Sequence, residues 1–401
     1  MARGIVRGAE MKGDIMEMRT REAGGRAAKL AVAVLSAGVL ALALSAASAG
    51  TAEAATVTAE GEFGTCAWTL DSDGTLTIGP EEGETTGKLK EKNTNTADSS
   101  PWYDYRESIE KCVFEEGVDG GTSIAYMFYG CTNMESIEGM DNVDASDVYR
   151  AGYAFYKCES LESIDFSTWE CNVEYLVWTF AYCTSLKTLD LSTWTTEGAE
   201  RFDHTFYGCT NIEYIDFSSW RTSTVIDFGG MFNGCKNLRY MDISKWDMSS
   251  ATYVGRMFKG CTGLRMVKVG SKYQNNTKNG GGYLPKPKTG KTTGSWVNKK
   301  GKKYKNPKNI PENKAATYTA TFKNSTTINK AKVTLNRTKM SYTGKALKCG
   351  IKNVKLKGKK VKKSNYRVFY SKNIEKGTAK VVIVTKGKKY TGAIVKTFKI
   401  V

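Results

Sequence analysis

Histidine is nearly absent from this chain. The single histidine in 401 residues, His204, would have to serve any Ser-His or Cys-His pair, and no second histidine is present to share a metal ion. Beyond Ala46, no apolar run approaches the roughly 20 residues that cross a bilayer. We therefore expect no catalytic, metal-binding or cofactor-binding residue, and no transmembrane anchor in the mature chain. His204 itself stands beside a core phenylalanine, where we expect it to be structural.

Acidic residues are scarce in the last third of the chain. From Ser271 onward there are 35 Lys and Arg but only Glu312 and Glu375, a net charge of +33. Residues 56–270 carry 17 basic against 34 acidic residues, a net charge of −17. Such asymmetry implies different partners for the two parts. We expect the basic part to bind an anionic cell-wall polymer, not nucleic acid; the alternative is a merely solubilising surface.

Residues 1–54 are predicted to be a signal peptide. Several arginines and Lys29 precede an apolar run from Leu30 to Ala46, and Ala-x-Ala patterns end at Ala49 and Ala54. This order of basic, apolar and small residues is typical of secretory signals. We expect a bacterial protein that is secreted or held at the cell surface after cleavage, with neither the exact cleavage site nor the start codon defined.

A motif of about 26 residues dominates the middle of the chain. Phe-x-x-Cys recurs six times, and the steps between its cysteines are 27, 25, 26, 26 and 26 residues. Asp-x-Ser-x-Trp follows four of the copies. A fixed period of this length indicates a solenoid whose repeats bury their apolar residues against one another. The predicted structural core is Phe128, Cys131, Phe155, Cys158, Trp169, Phe180, Cys183, Trp194, Phe206, Cys209, Trp220, Phe232, Cys235, Trp246, Phe258 and Cys261.

Two periodicities occur within each repeat. Apolar residues at spacings of three, four and seven, as from Val225 to Cys235, predict one face of a short helix. The spacing Leu238, Met241 and Ile243 then predicts the short parallel strand of a leucine-rich repeat. The expected fold is an α/β leucine-rich-repeat solenoid.

The flanking segments have different compositions. Residues 55–106 are predicted to form a β-rich N-terminal cap, with a hairpin around Asp73-Gly74. The solenoid is expected over 107–273. Residues 274–328 are predicted to be a basic linker with a small hairpin between Trp296 and Tyr304. Alternating apolar residues over 329–401 predict a small all-β sandwich whose lysines point outward.

The six periodic cysteines among the ten in the chain are expected to be reduced core residues. In-register side chains point in parallel and do not face one another as a disulfide requires. Cys66, Cys112, Cys171 and Cys349 break the period, and their pairing stays open.

Asp165, Asp190, Asp216 and Asp242 each lie between two inward-pointing residues of a predicted strand. They should therefore face outward and align in a column. We favour carboxylates that accept backbone hydrogen bonds, assisted by the serine two residues later. The alternative is a ligand-binding stripe, and these four aspartates are the candidate ligand-binding residues.

The repeated Met-Phe-x-Gly-Cys-x-Asn-Leu and Ile-Asp-x-Ser-x-Trp patterns resemble the BspA-like leucine-rich repeat surface proteins of bacteria. Residues 329–401, with Ser341-Tyr342-Thr343-Gly344, Asn365-Tyr366 and Lys389-Tyr390-Thr391-Gly392, resemble bacterial immunoglobulin-like modules. The resemblance implies an exposed, non-enzymatic, adhesin-like protein that engages host or envelope protein or glycan ligands. The alternatives are a structural cell-wall component and a glycan-acting hydrolase, although no carboxylate pair stands out for hydrolysis.

Overall fold

The computed structural model describes residues 55–90, 96–277 and 280–401. The predicted signal peptide lies outside the described residues. Within them, nearly all regular structure is short β-strand, joined by turns and by 3-10 helices at Ala97–Ser99, Tyr103–Tyr105, Met140–Asn142, Pro307–Asn309 and Lys363–Asn365. No helix in the described ranges is long and apolar enough to cross a membrane.

The N-terminal segment forms a sheet that covers the first repeat. Its strands and those of the first repeats are β1 (Val57–Glu62), β2 (Cys66–Asp71), β3 (Thr75–Pro80), β4 (Gly87–Lys88), β5 (Lys111–Phe114), β6 (Val118–Asp119), β7 (Ser136–Glu138) and β8 (Val143–Asp144). Antiparallel pairing of β2 with β3 confirms the hairpin predicted around Asp73-Gly74. β3 then pairs in parallel with β5, and β5 with β7. Trp102 is fully buried, and its indole N–H donates to the Met127 carbonyl at 2.7 Å.

Successive repeats stack in register. The strands β9 (Thr188–Asp190) and β10 (Tyr214–Asp216) pair in parallel, as do β11 (Tyr240–Ile243) and β12 (Met266–Val269). The phenylalanines of the six Phe-x-x-Cys motifs form one ladder, with ring centroids 5.4 to 5.7 Å apart. All sixteen residues of the predicted core are at most 3% exposed. We refer to residues 107–273 as the repeat array.

The short α-helix predicted in each repeat is wrong, and the α/β class with it. The Phe-x-x-Cys segment is a run of turns. The Phe206 N–H donates to the Met231 carbonyl of the next repeat at 2.9 Å, and the Tyr207 N–H donates back to His204 at 2.9 Å. Because alternate N–H groups bond to the neighbouring repeat, the i to i−4 ladder of a helix cannot form. Two residues in each turn run are left-handed. The first precedes the core phenylalanine by two positions and has φ between 58° and 61°, at Tyr126, Tyr153, Trp178, His204, Gly230 and Arg256. The second follows it by two positions and has φ between 61° and 88°, at Gly130, Lys157, Tyr182, Gly208, Gly234 and Gly260.

Residues 274–328 differ from the basic linker that their composition predicted. They contain β13 (Asn276–Thr277), β14 (Gly280–Gly281), β15 (Lys288–Thr289), β16 (Thr292–Thr293), β17 (Ser295–Asn298), β18 (Lys303–Tyr304) and β19 (Ala316–Thr321). β19 pairs antiparallel with β12, the last array strand, and β17 and β18 extend that sheet. The β17–β18 pairing confirms the small hairpin. Trp296, Tyr304 and Tyr318 are buried, so the aromatics scattered among the lysines pack this segment against the array.

The C-terminal module, residues 326–401, consists of two main sheets. Its strands are β20 (Thr326–Thr327), β21 (Lys332–Leu335), β22 (Lys339–Met340), β23 (Ile351–Leu356), β24 (Lys359–Lys360), β25 (Tyr366–Ser371), β26 (Gly377–Thr385), β27 (Tyr390–Thr391) and β28 (Ala393–Ile400). The sheet orders are β21-β23-β24 and β22-β28-β26-β25. Val354, Val381, Ile383 and Phe398 belong to one buried cluster. An immunoglobulin-like topology stays a prediction.

Trp220 provides a direct test of repeat stacking. Its ring is 2% exposed, and its centroid lies 4.9 Å from that of Phe202 and 6.4 Å from that of Trp246. Replacing it by alanine leaves a cavity that neighbouring repeats cannot close, so we expect a loss of about 3 to 5 kcal/mol in the free energy of unfolding. Denaturant titration measures this loss. A Trp220→Ala curve that overlays the wild-type curve would contradict the stacking.

Candidate functional site

Each aspartate of the predicted column begins a turn. Asp190, Asp216 and Asp242 lie at or next to the end of a strand, whereas Asp165 lies in no strand, contrary to the prediction. In all four repeats the aspartate Oδ1 accepts the backbone N–H of the serine two residues later, at 2.9 to 3.2 Å. The pairs are Asp165 with Ser167, Asp190 with Ser192, Asp216 with Ser218 and Asp242 with Ser244. This is the hydrogen-bonded turn favoured from the sequence. It leaves the second carboxylate oxygen of each aspartate for another partner.

That second oxygen has partners that differ among Asp190, Asp216 and Asp242, although the tyrosine hydroxyl two residues earlier donates to it in both Asp216, at 3.3 Å, and Asp242, at 3.0 Å. The C-terminal module covers Asp216: Ser371 Oγ and Lys380 Nζ each donate to its Oδ2 at 2.6 Å. The backbone N–H of Lys372 donates to Asp190 Oδ2 at 2.8 Å. Lys268, in the next repeat of the array, pairs with Asp242 Oδ2 at 2.8 Å.

Asp165 is exposed. With Asp190 it lines a cleft of about 890 Å³ between the array and the C-terminal module. The structure thus separates the four candidate residues by environment, although their sequence contexts are alike.

Apolar and charged contacts surround Asp216. Tyr214 stacks on Phe369 with 5.5 Å between ring centroids, and Tyr240 and Val382 belong to the same buried cluster. At the margin, Arg367 Nε lies 2.8 Å from a carboxylate oxygen of Glu213. The strand face of the array is therefore an interface with the C-terminal module.

The charges in this interface are matched. Burial alone would raise the pKa of the Asp216 carboxyl, but the Lys380 ammonium and the hydrogen bonds from Ser371 and Ser218 outweigh burial and lower that pKa. Asp190 lacks such a cation, so burial and the nearby Asp216 charge raise its pKa. Asp216 is consequently a buried carboxylate that needs Lys380 to stay ionised.

A second feature of the array is a partly exposed aromatic surface on the turn segments. One column stacks Tyr126 on Tyr153 at 4.8 Å, Tyr153 on Trp178 at 6.3 Å, and Trp178 on His204 at 4.2 Å between ring centroids. Beside it lie Tyr129, Tyr156, Tyr182 and Tyr207. We call these eight residues the aromatic face. All eight are partly exposed, so their rings contact one another and are also accessible to solvent.

His204 belongs to this face. Its ring is parallel to that of Trp178, and Nδ1 lies 3.4 Å from Oδ2 of the buried Asp203. Arg201 Nε also pairs with Asp203, at 2.9 Å. Across the described residues, His, Cys, Asp and Glu side chains form no group of three or more that could hold a metal ion.

The sequence interpretation missed the aromatic face because its positions vary between repeats. Aligning the repeats on their core phenylalanines places tyrosine, tryptophan or histidine two residues before Phe128, Phe155, Phe180 and Phe206. The next two repeats carry Gly230 and Arg256 there. This change from an aromatic residue in the first four repeats to glycine or arginine in the last two is the sequence signal that could have identified the aromatic face.

Comparisons with known proteins support the repeat assignment. Residues 102–219 match the family model described as a BspA type leucine-rich repeat region, in six copies. Residues 174–279 match a model described as a Mycoplasma protein of unknown function, DUF285. Residues 102–219 are therefore similar to leucine-rich repeats of the BspA type. No curated protein matches the chain.

Two solved structures are similar to the chain at low identity. A leucine-rich cell surface protein from Faecalibacterium prausnitzii has 15% identity and a TM-score of 0.32, with 72% of this chain and 67% of that chain covered. A leucine-rich repeat protein from Eubacterium ventriosum has 18% identity and a TM-score of 0.18, with 51% of this chain and 76% of that chain covered. At these scores, the fold description depends on the geometry of the chain itself.

Removing the Lys380 ammonium should destabilise the protein through Asp216. Lys380→Met leaves the Asp216 carboxylate buried without its cation, and we expect a loss of about 3 to 5 kcal/mol in the free energy of unfolding. Chemical denaturation at pH 7 measures it. Lys396→Met, an exposed lysine on β28, is the control and should behave as wild type.

The effect should depend on pH in a defined direction. Because the pKa of Asp216 is lowered in the folded state, the stabilisation is complete above the unfolded pKa of about 3.9 and is lost as the pH falls through the folded value. Without Lys380, burial raises the pKa of Asp216, so the difference between wild type and Lys380→Met should begin to shrink before the pH falls to about 4 and should shrink further below it. A difference that stays constant from pH 6 to pH 3 would contradict the ion pair.

Proposed function

We propose that this protein is a secreted or surface-attached, non-enzymatic binding protein of the adhesin type. Its aromatic face would bind an extracellular protein or glycan. The observation that carries this proposal is the continuous row of partly exposed rings across four repeats, from Tyr126 to His204. Tyrosine and tryptophan supply large contact areas at low conformational entropy cost, and binding hot spots are enriched in them.

The location of this surface fits a binding role. The aromatic face lies on the turn segments of the repeats, whereas the C-terminal module packs against the strand segments around Tyr214 and Tyr240. A ligand on the turn segments would not have to displace the module. The aspartate column is a weaker candidate because Asp216 is already occupied within the chain.

The lysines of the C-terminal part suggest a second contact. From Ser271 onward the net charge of +33 favours association with an anionic envelope polymer. The acidic array would then be held at the cell surface with its aromatic face available. Surface electrostatic attraction of this kind is screened over about 8 Å at physiological ionic strength.

The aromatic face should determine ligand binding. A screen of the mature chain against extracellular matrix proteins and glycans identifies a ligand, and Trp178→Ala should then weaken its binding by about tenfold or more, as for a hot-spot aromatic. Tyr175→Ala is the matched control, because Tyr175 is an exposed aromatic of the same repeat outside the face. Equal affinities for the two variants would contradict the assignment.

Attachment to the envelope should be sensitive to salt. We expect the mature chain to sediment with purified cell walls at about 0.05 M NaCl and to be released at about 1 M, where the screening length falls to roughly 3 Å. Retention that is unchanged at high salt, or absent at low salt, would argue against electrostatic attachment.

A further inference from the structure

A basic cleft lies where the repeat array meets the C-terminal module. It has a volume of about 870 Å³. The array contributes Lys187, Glu213 and Arg239 to its lining, and the module contributes Lys363, Arg367 and Lys386. Neither part contains the site alone, and ligand sites commonly form at such junctions.

The cations of the basic cleft outnumber its carboxylate. Glu213, whose side chain is 14% exposed, lies 3.3 Å from Arg239 Nε and 2.8 Å from Arg367 Nε, so one carboxylate serves two arginines. Lys187 pairs at 2.7 Å with Glu162, which does not line the cleft, and the Lys187 side chain is 59% exposed. Lys363 is exposed and Lys386 is partly exposed. The cleft therefore keeps an excess of positive charge.

Neutral polar and aromatic groups complete the lining. Asn237 donates from Nδ2 to Asn211 Oδ1 at 3.2 Å, and both amides border the cleft. Tyr366 and Tyr370 line the side that belongs to the module. Amides suit hydroxyl groups, aromatic rings offer apolar contact, and guanidinium groups pair with planar anions through two hydrogen bonds.

We propose that the basic cleft binds an anionic oligosaccharide, a saccharide chain that bears carboxylate or sulfate groups. This goes beyond the proposed function, which assigns polyanion attraction to the lysines of the C-terminal part at large and ligand binding to the aromatic face. Here the acidic array takes part directly, because Lys187 and Arg239 line the cleft from its side. Binding then requires both modules in their docked arrangement.

The experiment is a calorimetric titration of the full mature chain with three hexasaccharides. They are sulfated maltohexaose, hexagalacturonate and maltohexaose. The first two distinguish sulfate from carboxylate, and the third is neutral. We expect at least one charged sugar to bind and maltohexaose not to bind. Lys363→Ala combined with Lys386→Ala should weaken binding by about tenfold or more, as expected for lost hydrogen bonds to charged groups.

Matched variants separate the cleft from diffuse attraction. Lys355→Ala with Lys359→Ala removes two exposed lysines elsewhere on the module and should change affinity by less than about twofold. Lys187→Ala should weaken binding by about threefold or more, whereas Lys111→Ala should not. Lys111 is a fair control because it pairs with Glu138 at 2.8 Å, as Lys187 pairs with Glu162. Unchanged melting temperatures establish that each variant is folded.

Two outcomes would overturn the proposal that the basic cleft binds an anionic oligosaccharide. One is that neither charged hexasaccharide binds; the other is that the control variants lose as much affinity as the cleft variants. Either result leaves the proposed function standing if wall retention remains salt-sensitive and Trp178→Ala still weakens ligand binding.

Discussion

A buried carboxylate must be neutralised by a nearby cation. In this protein, the position of the C-terminal module on the array depends on how one such carboxylate is neutralised. Asp216 is 4% exposed and is neutralised by Lys380, a residue 164 positions later in the chain. An uncompensated charge at this depth would cost several kcal/mol. The ion pair therefore links the C-terminal module to one face of the array. The turn segments, with their aromatic rings, remain open to solvent.

The repeats impose a second requirement, because each buries its apolar residues only against neighbours on both sides. The first and last repeats would expose their cores without covers. Trp102 and the β1–β3 sheet cover the first repeat, and β19 pairs with the last array strand. Buried Arg265, whose guanidinium donates to the carbonyls of Gly263 and Lys288, ties the second cover in place. The lysine-rich segment after Gly270 thus completes the fold.

The features that could be predicted from the sequence are those that produce a periodic pattern of residues. The period of Phe-x-x-Cys identified the stacked repeats, and alternation around Asp73-Gly74 identified a hairpin. The helix prediction was wrong because spacings of three and four also arise in successive turns whose N–H groups bond to the next repeat. The burial of Asp216 was beyond sequence reasoning, since nothing near it marks Ser371 or Lys380 as partners. The aromatic face needed an alignment of the repeats, because its residues differ from repeat to repeat.

The most direct test of the docked arrangement is a double-mutant cycle between Asp216 and Lys380, using Asp216→Asn, Lys380→Met and the double variant. The cycle separates the interaction free energy between the two side chains from the free energy lost through each substitution alone. We predict a coupling free energy of at least about 1.5 kcal/mol, as measured for close charge pairs in desolvated interfaces. Additive effects, with coupling near zero, would contradict the account, because the C-terminal module would then not be held on the array through this pair.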